Sequence, residues 1–409
     1  MDRVDVVAVV GACAPERALY ARRLAEESGR ALIPAAHLSR PSAVDALTWA
    51  ETSADGSATV DVSAGVVVEC PATASAIDLI GALTDPAAGT RLGAVICVVD
   101  AAHLLDDLAA EDFIVTARTP TGQPREFTAR ALLTVTQLEY ASTIVLVNWD
   151  VLSTPDLSTV MALVSTLSPR ARLRLHVSSI DPLTAGPAYA AAQDRAGWVG
   201  ILNDDATPHM TDRRVSSLHY QQLRPLHPGR LQRVLDDRIE PGEFGLIVRS
   251  SGFCRFATRP GETMQWEHVG CTIAFQVLSD HDRLVGIDDH PAAEELMSVG
   301  QDLAFIGLDL DLDALTRALD EAALTDAELE AGPEAWARFP DPFPTWSPPK
   351  IPRIRASARV GWPRMQSGIH PGQRSVNCPP WCLSDSRPLP CGHSCPTDSS
   401  AGASRVRPR

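Results

Sequence analysis

Val4-Asp5-Val6-Val7-Ala8-Val9-Val10, followed directly by Gly11-Ala12-Cys13-Ala14-Pro15-Glu16-Arg17-Ala18, decides the fold. The first run is apolar apart from Asp5, as a strand buried on both faces must be. Gly11 supplies a turn, and Pro15 suits the first turn of a helix over Pro15–Ser28. Working outward, apolar runs at Ala31–Ala35, Gly65–Cys70, Ala94–Asp100, Ser142–Asn148 and Arg172–Val177 read as further strands. Helical patterns at Ala72–Leu83, Ala102–Ala109, Ala129–Tyr140 and Ser153–Leu167 separate most of them. Strands alternating with helices predict an α/β fold with a doubly wound parallel sheet.

The pattern changes after Val177. Residues 178–213 are loop-rich, so a boundary is placed there, giving domains at 1–205 and 206–346. Strands are expected at Ser216–Leu223, Gly245–Ala257, Thr263–Val269, Thr272–Leu278 and Asp302–Leu308, with helices at His227–Ile239 and Leu312–Ala323. Runs of strands with few helices indicate a smaller α+β domain. Residues 347–409 are rich in Pro, Ser, Arg and Cys without apolar periodicity, so a disordered tail is expected.

Apolar residues make up 45% and charged residues 21%, which fits a soluble globular protein. The net charge of −15 divides unevenly: ten basic residues from Lys350 onward face only Asp385 and Asp398, leaving about −23 on residues 1–346. So acidic a body argues against direct DNA binding, although the basic tail could touch RNA or an acidic protein. No run of 18 apolar residues or signal peptide is present, so a cytoplasmic protein without a membrane partner is expected. In that compartment the nine cysteines are thiols or metal ligands. One of the 36 basic residues is lysine, and it is Lys350; the arginine bias fits a GC-rich genome.

The turn after the first strand occupies the place of a phosphate-binding P-loop, GxxxxGK[ST]. Gly11 fits that spacing. Glu16 replaces the second glycine, Arg17 the lysine, and Ala18 the magnesium-binding hydroxyl, while Pro15 lacks an N–H. A carboxylate thus stands where phosphate would sit. An ordinary strand–helix turn is the simpler reading, and residual phosphate binding through Arg17 is the alternative. Asn148-Trp149-Asp150 lies where a guanine-recognition NKxD belongs, with Asn148 kept and the lysine replaced. Glu69 and Asp100 end apolar strands, at the sheet edge that lines ligand crevices, where they could hold a cation together or simply be solvated.

Cys378, Cys382, Cys391 and Cys395, spaced x3, x8 and x3 with His393 beside them, offer a thiolate zinc set. A reading frame running past a normal stop explains the same composition. The His/Asp runs at 280–282 and 288–290 read as solvated loop, with metal binding the alternative. His227 opens a helix and either caps it or lines a domain interface. No Ser-His-Asp or Cys-His catalytic signature is present.

Together these residues resemble the CobW family of P-loop GTPases and metallochaperones over roughly residues 1–346. Glu69-Cys70-Pro71, the strand ending in Asp100-Ala101, and Gln137–Ala141 followed by Ile144–Asn148 match its first domain. Arg224-Pro225-Leu226-His227-Pro228-Gly229-Arg230-Leu231, then Arg249-Ser250-Ser251-Gly252-Phe253, match its C-terminal domain in order. The resemblance implies a P-loop-type sheet, a nucleotide site at Gly11, Arg17, Glu69, Asp100 and Asn148, GTP with Mg, and a Zn connection. Arg224, His227, Arg230 and Arg249 are then interface candidates. The family's C-x-C-C metal motif is absent from this sequence. Residues 319–346 are similar to the zinc-responsive Mrf-type recruiters of ribosome hibernation factors. That likeness implies a pseudo-GTPase adaptor, without strong GTP hydrolysis, that brings a hibernation factor to the ribosome under zinc limitation. A GTP-dependent zinc metallochaperone with an atypical P-loop is the alternative.

Overall fold

β-branched residues crowd the first strand and its neighbours, where two heavy atoms on Cβ favour extended backbone. The computed structural model describes residues 3–38, 64–85, 89–117, 126–177, 189, 196–278 and 300–344. The tail with Cys378, Cys382, Cys391 and Cys395, and the His/Asp runs at 280–282 and 288–290, lie outside the described residues. The first layer runs β1 (Val4–Val10), α1 (Ala14–Ser28), β2 (Ala31–Ile33), β3 (Val66–Glu69), α2 (Ala76–Leu83), β4 (Thr90–Asp100) and α3 (Leu104–Leu108). It continues through β5 (Phe113–Ala117), β6 (Glu126–Ala129), α4 (Arg130–Glu139), β7 (Thr143–Val147), α5 (Thr154–Leu167), β8 (Arg172–Leu175) and α6 (Gly197–Leu202).

Six strands form one parallel sheet in the order β2-β3-β1-β4-β7-β8. The α/β class and parallel sheet expected from the alternation are what the chain adopts. Val7 and Val9 of β1 pack with Tyr20, Ala21 and Leu24 of α1. The alternate residues Val6, Ala8 and Val10 join Leu79 of α2, Val135 and Leu138 of α4, and Leu163 of α5 on the opposite face. Helices therefore cover both faces, which is why β1 carries almost no polar residue. Gly29 ends α1 in the left-handed region (φ 68°), its N–H returning to the Ala25 carbonyl. β5 and β6 form a separate antiparallel pair that was not expected, because the apolar run Phe113-Ile114-Val115 is so short.

The second layer comprises β9 (Val215–Gln222), α7 (Pro228–Val234) widening into a π-helical turn at Leu235–Ile239, β10 (Leu246–Cys254), β11 (Met264–Val269) and β12 (Thr272–Val277). β13 (Gln301–Leu308), α8 (Leu312–Ala322), α9 (Asp326–Ala331) and α10 (Pro333–Trp336) complete it. Its five strands are antiparallel in the order β12-β11-β10-β13-β9. Phe256, Trp266, Phe275 and Phe305 pack with Leu231, Leu315 and Leu319 on one face. Val248, Val269, Ala304, Ile306 and Leu308 on the other face belong to the same cluster as α4 and α5. The two layers thus share one of the hydrophobic clusters and form one compact unit. No helix among the described residues is long and apolar enough to cross a membrane.

A register shift between Ile247 and Arg249 marks a bulge in β10. With one residue added, Val248 and Arg249 both turn toward the α/β layer, while Ile247 packs in the second core. Arg249 is 1% exposed, and its guanidinium meets Glu139 at the end of α4 (Nε–Oε1 2.8 Å) and Glu267 of β11 (Nη2–Oε2 2.6 Å). It also donates to the Ser250 and His268 carbonyls. Burial pushes the Glu139 carboxyl up to about 7 against the pull of Arg249, with Glu267 as a second carboxylate on the same cation adding to the rise. Burial and the Arg249 charge push the neighbouring His268 down to about 4.

Removing one partner of a buried charge pair costs on the order of 3–5 kcal/mol. Arg249→Met is therefore expected to lower stability by that amount in denaturant unfolding; a loss below about 1 kcal/mol would mean that the two carboxylates are relieved in another way. The pH dependence follows from the same groups. The folded state holds the Glu139 proton more tightly than the unfolded chain, so that contribution is present below the ordinary value of 4.5 and is lost as pH rises through about 7. His268 acts in the opposite sense: its contribution is present above 6.5 and is lost as pH falls through about 4. Unfolding midpoints measured across this range should fall on the alkaline side in the native chain, and Glu139→Gln should flatten that fall.

Candidate functional site

The strand order reverses direction between β1 and β4, so the loop after β1 and the end of β4 lie at the switch point where open α/β sheets bind ligands. Gly11 sits there with φ 143°, and a Cβ on it would come within 2.2 Å of the Val98 carbonyl oxygen. Only glycine allows so close an approach. The Gly11 N–H donates to Gln137 Oε1 at 3.0 Å. Gln137, itself buried, returns its Nε2 to the Ala72 and Ala74 carbonyls at 3.2 and 2.9 Å. One side chain of α4 thereby pins the root of the loop and the segment after β3.

Arg17 does not face outward to a phosphate. It is 3% exposed, and its Nη1 donates to the Gly11 carbonyl at 2.5 Å. Its Nε lies 3.4 Å from Glu69 Oε1, an ion pair without hydrogen-bond alignment. Glu69 Oε2 in turn accepts from the Ala35 N–H at 3.2 Å. Glu16 occupies the first turn of α1, where a carboxylate complements the positive helix end just as a phosphate would. Cys13 is the N-cap residue, and its side chain makes no capping bond.

Asp100 is occupied as well. Oδ2 accepts from Asn148 Nδ2 at 2.8 Å and lies 3.0 Å from His103 Nδ1, and Oδ1 accepts from the Ala102 N–H at 3.0 Å. Burial resists its ionisation, but the hydrogen bonds from Asn148, His103 and Ala102 prevail and hold it below the ordinary carboxylate range. Asn148 adopts the left-handed region (φ 52°) to make this contact. Glu69 thus turns to Arg17, and Asp100 to Asn148. Trp149, at the lysine position of the guanine motif, donates its indole N–H to the His176 carbonyl at 2.9 Å.

Two contacts here were missed in the sequence. His103 pairs with Asp100, and Cys13 Sγ lies 3.7 Å from Asp107 Oδ2. Burial, and then the charges of Asp107 and Asp100, push the Cys13 thiol up to about 12, so it stays protonated and a poor metal ligand. Among the described residues no group of three or more His, Cys, Asp and Glu side chains is placed to hold a metal. Two cavities of about 380 Å³ each lie elsewhere, one beside Arg22 and Arg30, the other beside Ser165, Arg172 and Met210. Neither is lined by a residue of the 11–18 loop. The loop does not fit a nucleoside triphosphate with magnesium: its cation is buried, its magnesium hydroxyl is Ala18, and Pro15 offers no N–H.

The remaining candidates engage the chain's own C-terminal helices. Arg224 donates to the Leu324 carbonyl (3.2 Å) and to Asp326 Oδ1 (2.6 Å). Arg230 forks onto Glu328 at 2.8 and 2.7 Å and reaches the Ala323 carbonyl at 2.8 Å. His227 caps α7 by accepting from the Arg230 N–H at 3.4 Å, and its ring stacks on Phe339 at 4.5 Å. The hydrogen bonds from Arg230 hold the Glu328 carboxyl down to about 2. Thr325 and Glu328 complete a capping box at the start of α9. Arg249 instead faces Glu139, across the junction of the two layers.

Residues 215–323, from β9 through the end of α8, match the model of the "Cobalamin synthesis protein cobW C-terminal domain". The second layer from β9 to α8 is a CobW C-terminal domain. The match leaves α9 and α10 outside. Longer stretches are similar to the zinc-regulated GTPase metalloprotein activator 1 of Dictyostelium discoideum, 26% identical over 277 residues, 62% of this chain and 56% of that protein. A zinc chaperone of Mycobacterium tuberculosis is 25% identical over 279 residues, 63% of this chain and 62% of that protein. The similarity therefore spans less than two thirds of either relative. The Zn(II)-bound YjiA GTPase of E. coli aligns to 79% of this chain at 14% identity with a TM-score of 0.32, and its triple mutant at 15% with 0.35. Scores that low leave the fold to be read from this chain's own strand order. The domain match and the two relatives support the CobW relationship and do not reach the Mrf-type branch.

Arg17 is built as a structural cation, so Arg17→Met should leave the Gly11 carbonyl and Glu69 unpaired and cost about 1–3 kcal/mol. Chemical unfolding of the single variant and of the double variant with Glu69→Gln would check this. If Arg17→Met were neutral, the inward pairing would not be what holds the loop.

Proposed function

We propose that this chain takes part in zinc homeostasis as a CobW-type metallochaperone with an atypical nucleotide loop. The CobW C-terminal domain and the zinc-linked names of the two relatives support the zinc connection. The observation that carries the atypical loop is Arg17, buried against Gly11 and Glu69 at the position of the phosphate-binding lysine. Lysine-assisted GTP hydrolysis is not expected, because no lysine precedes Lys350 and Ala18 offers magnesium no side-chain hydroxyl. Zinc is the cargo in this reading, and Cys378, Cys382, Cys391 and Cys395 are the proposed ligands.

Recruitment of a ribosome hibernation factor is the second reading. It is carried by the resemblance of residues 319–346, and the names of the relatives favour the metallochaperone over it. The transfer proposed here does not depend on GTP, since Arg17 is turned inward and Ala18 has no hydroxyl, and the loop is the place to test that.

Calorimetry on the full chain tests the reading, with Zn²⁺ alone and then with GTP and magnesium. Zinc should bind at micromolar concentration or tighter, and Cys378→Ser with Cys382→Ser should abolish that binding. A native chain that binds no zinc overturns the metallochaperone reading. Magnesium-dependent GTP turnover that disappears in Arg17→Ala would instead restore a working nucleotide step and overturn the account of the loop.

A further inference from the structure

Two elements of the α/β layer touch both the loop at residues 11–17 and the second sheet. α4 is the first. Its Gln137 receives the Gly11 N–H at 3.0 Å, and two residues later its Glu139 meets Arg249 at 2.8 Å. α3 is the second. Its Asp107 faces Cys13 Sγ at 3.7 Å, and the next residue presents its carbonyl to the turn between β11 and β12. At that turn Gly270 has φ 54°, and a Cβ on it would lie 2.4 Å from the Leu108 carbonyl oxygen. The Gly270 N–H then donates to the Val248 carbonyl at 3.2 Å. Both paths therefore end on Val248 and Arg249, the two residues of the β10 bulge.

We propose that the β10 bulge is the point at which the CobW C-terminal domain registers the state of the 11–17 loop. A shift of the loop backbone must carry the last turns of α3 and α4 with it, because Gln137 and Asp107 bear directly on the loop. Neither helix can move without pressing on β10. Glu139 is locked to a buried guanidinium, and Leu108 and Gly270 are already in close backbone contact. Close-packed interiors transmit such displacements instead of absorbing them. Coupling of this kind is reciprocal, so a disturbance at the bulge must loosen the loop as well. The inference stands whether or not the loop binds a nucleotide or the chain carries zinc.

Hydrogen exchange on the full chain tests it through a matched pair of variants. Gly270→Ala and Gly332→Ala both place alanine at positive φ, but only the first drives a Cβ into the Leu108 carbonyl; nothing lies within 4 Å of a Cβ at Gly332. Amides of residues 10–18 should exchange about tenfold faster in Gly270→Ala and stay within about twofold of the native chain in Gly332→Ala. Arg249→Lys, which keeps the charge and loses the fork, should loosen the same amides and serves as the test if Gly270→Ala does not fold. The proposal is overturned if the loop stays at native protection in both Gly270→Ala and Arg249→Lys. It is equally overturned if β4 amides 95–99 speed up by the same factor as the loop, since that is general loosening.

Discussion

One guanidinium between two carboxylates, sealed from water, joins the two layers of this chain. Arg249 stands on a bulge of β10 and reaches Glu139 on α4 and Glu267 on β11. Taken alone, a buried charge of this kind is a weak source of net stability, because desolvation offsets most of the attraction. Its effect is geometric. The fork admits the end of α4 at one distance and one angle, which fixes how the sheet lies on the helices beneath it. The attraction among the apolar residues around it, Val248, Val269, Ala304 and Ile306, has no preferred direction; the hydrogen-bonded ion pair supplies one.

Most of the architecture was legible in the sequence. Val4–Val10 was read as a strand with the bounds the fold gives it, and the antiparallel strands of the second layer were placed to within a few residues. The reason is that buried strands need apolar β-branched runs, and few other structures do. The β5–β6 pair escaped notice because its apolar run, Phe113-Ile114-Val115, is only three residues long and β6 has none.

The site was less legible. The sequence identified which residue stood at each motif position but not where its side chain pointed. Arg17 read as part of an ordinary strand–helix turn, with phosphate binding as the alternative, and neither reading showed that burial beside Glu69 turns it toward Gly11. His103 lies only three residues from Asp100, whereas Cys13 and Asp107 are brought together across 94 residues and leave no spacing signal. Arg224, His227 and Arg230 were found through a signature, and only the structure shows that they strap α8 and α9 to the second layer.

The arginine bias carries a chemical consequence beyond charge. The fork pairs Arg91 with Asp5, Arg130 with Asp112, Arg230 with Glu328 and Arg238 with Glu243, each through two nitrogens, a geometry an ammonium cannot copy. Residues 1–349 consequently contain no ε-amino group. Acetylation, ubiquitin attachment and amine-directed cross-linking have no side chain to act on in the folded layers, and among side chains only Lys350 accepts them. Whatever acts on this protein through side-chain amines must find them outside residues 1–349.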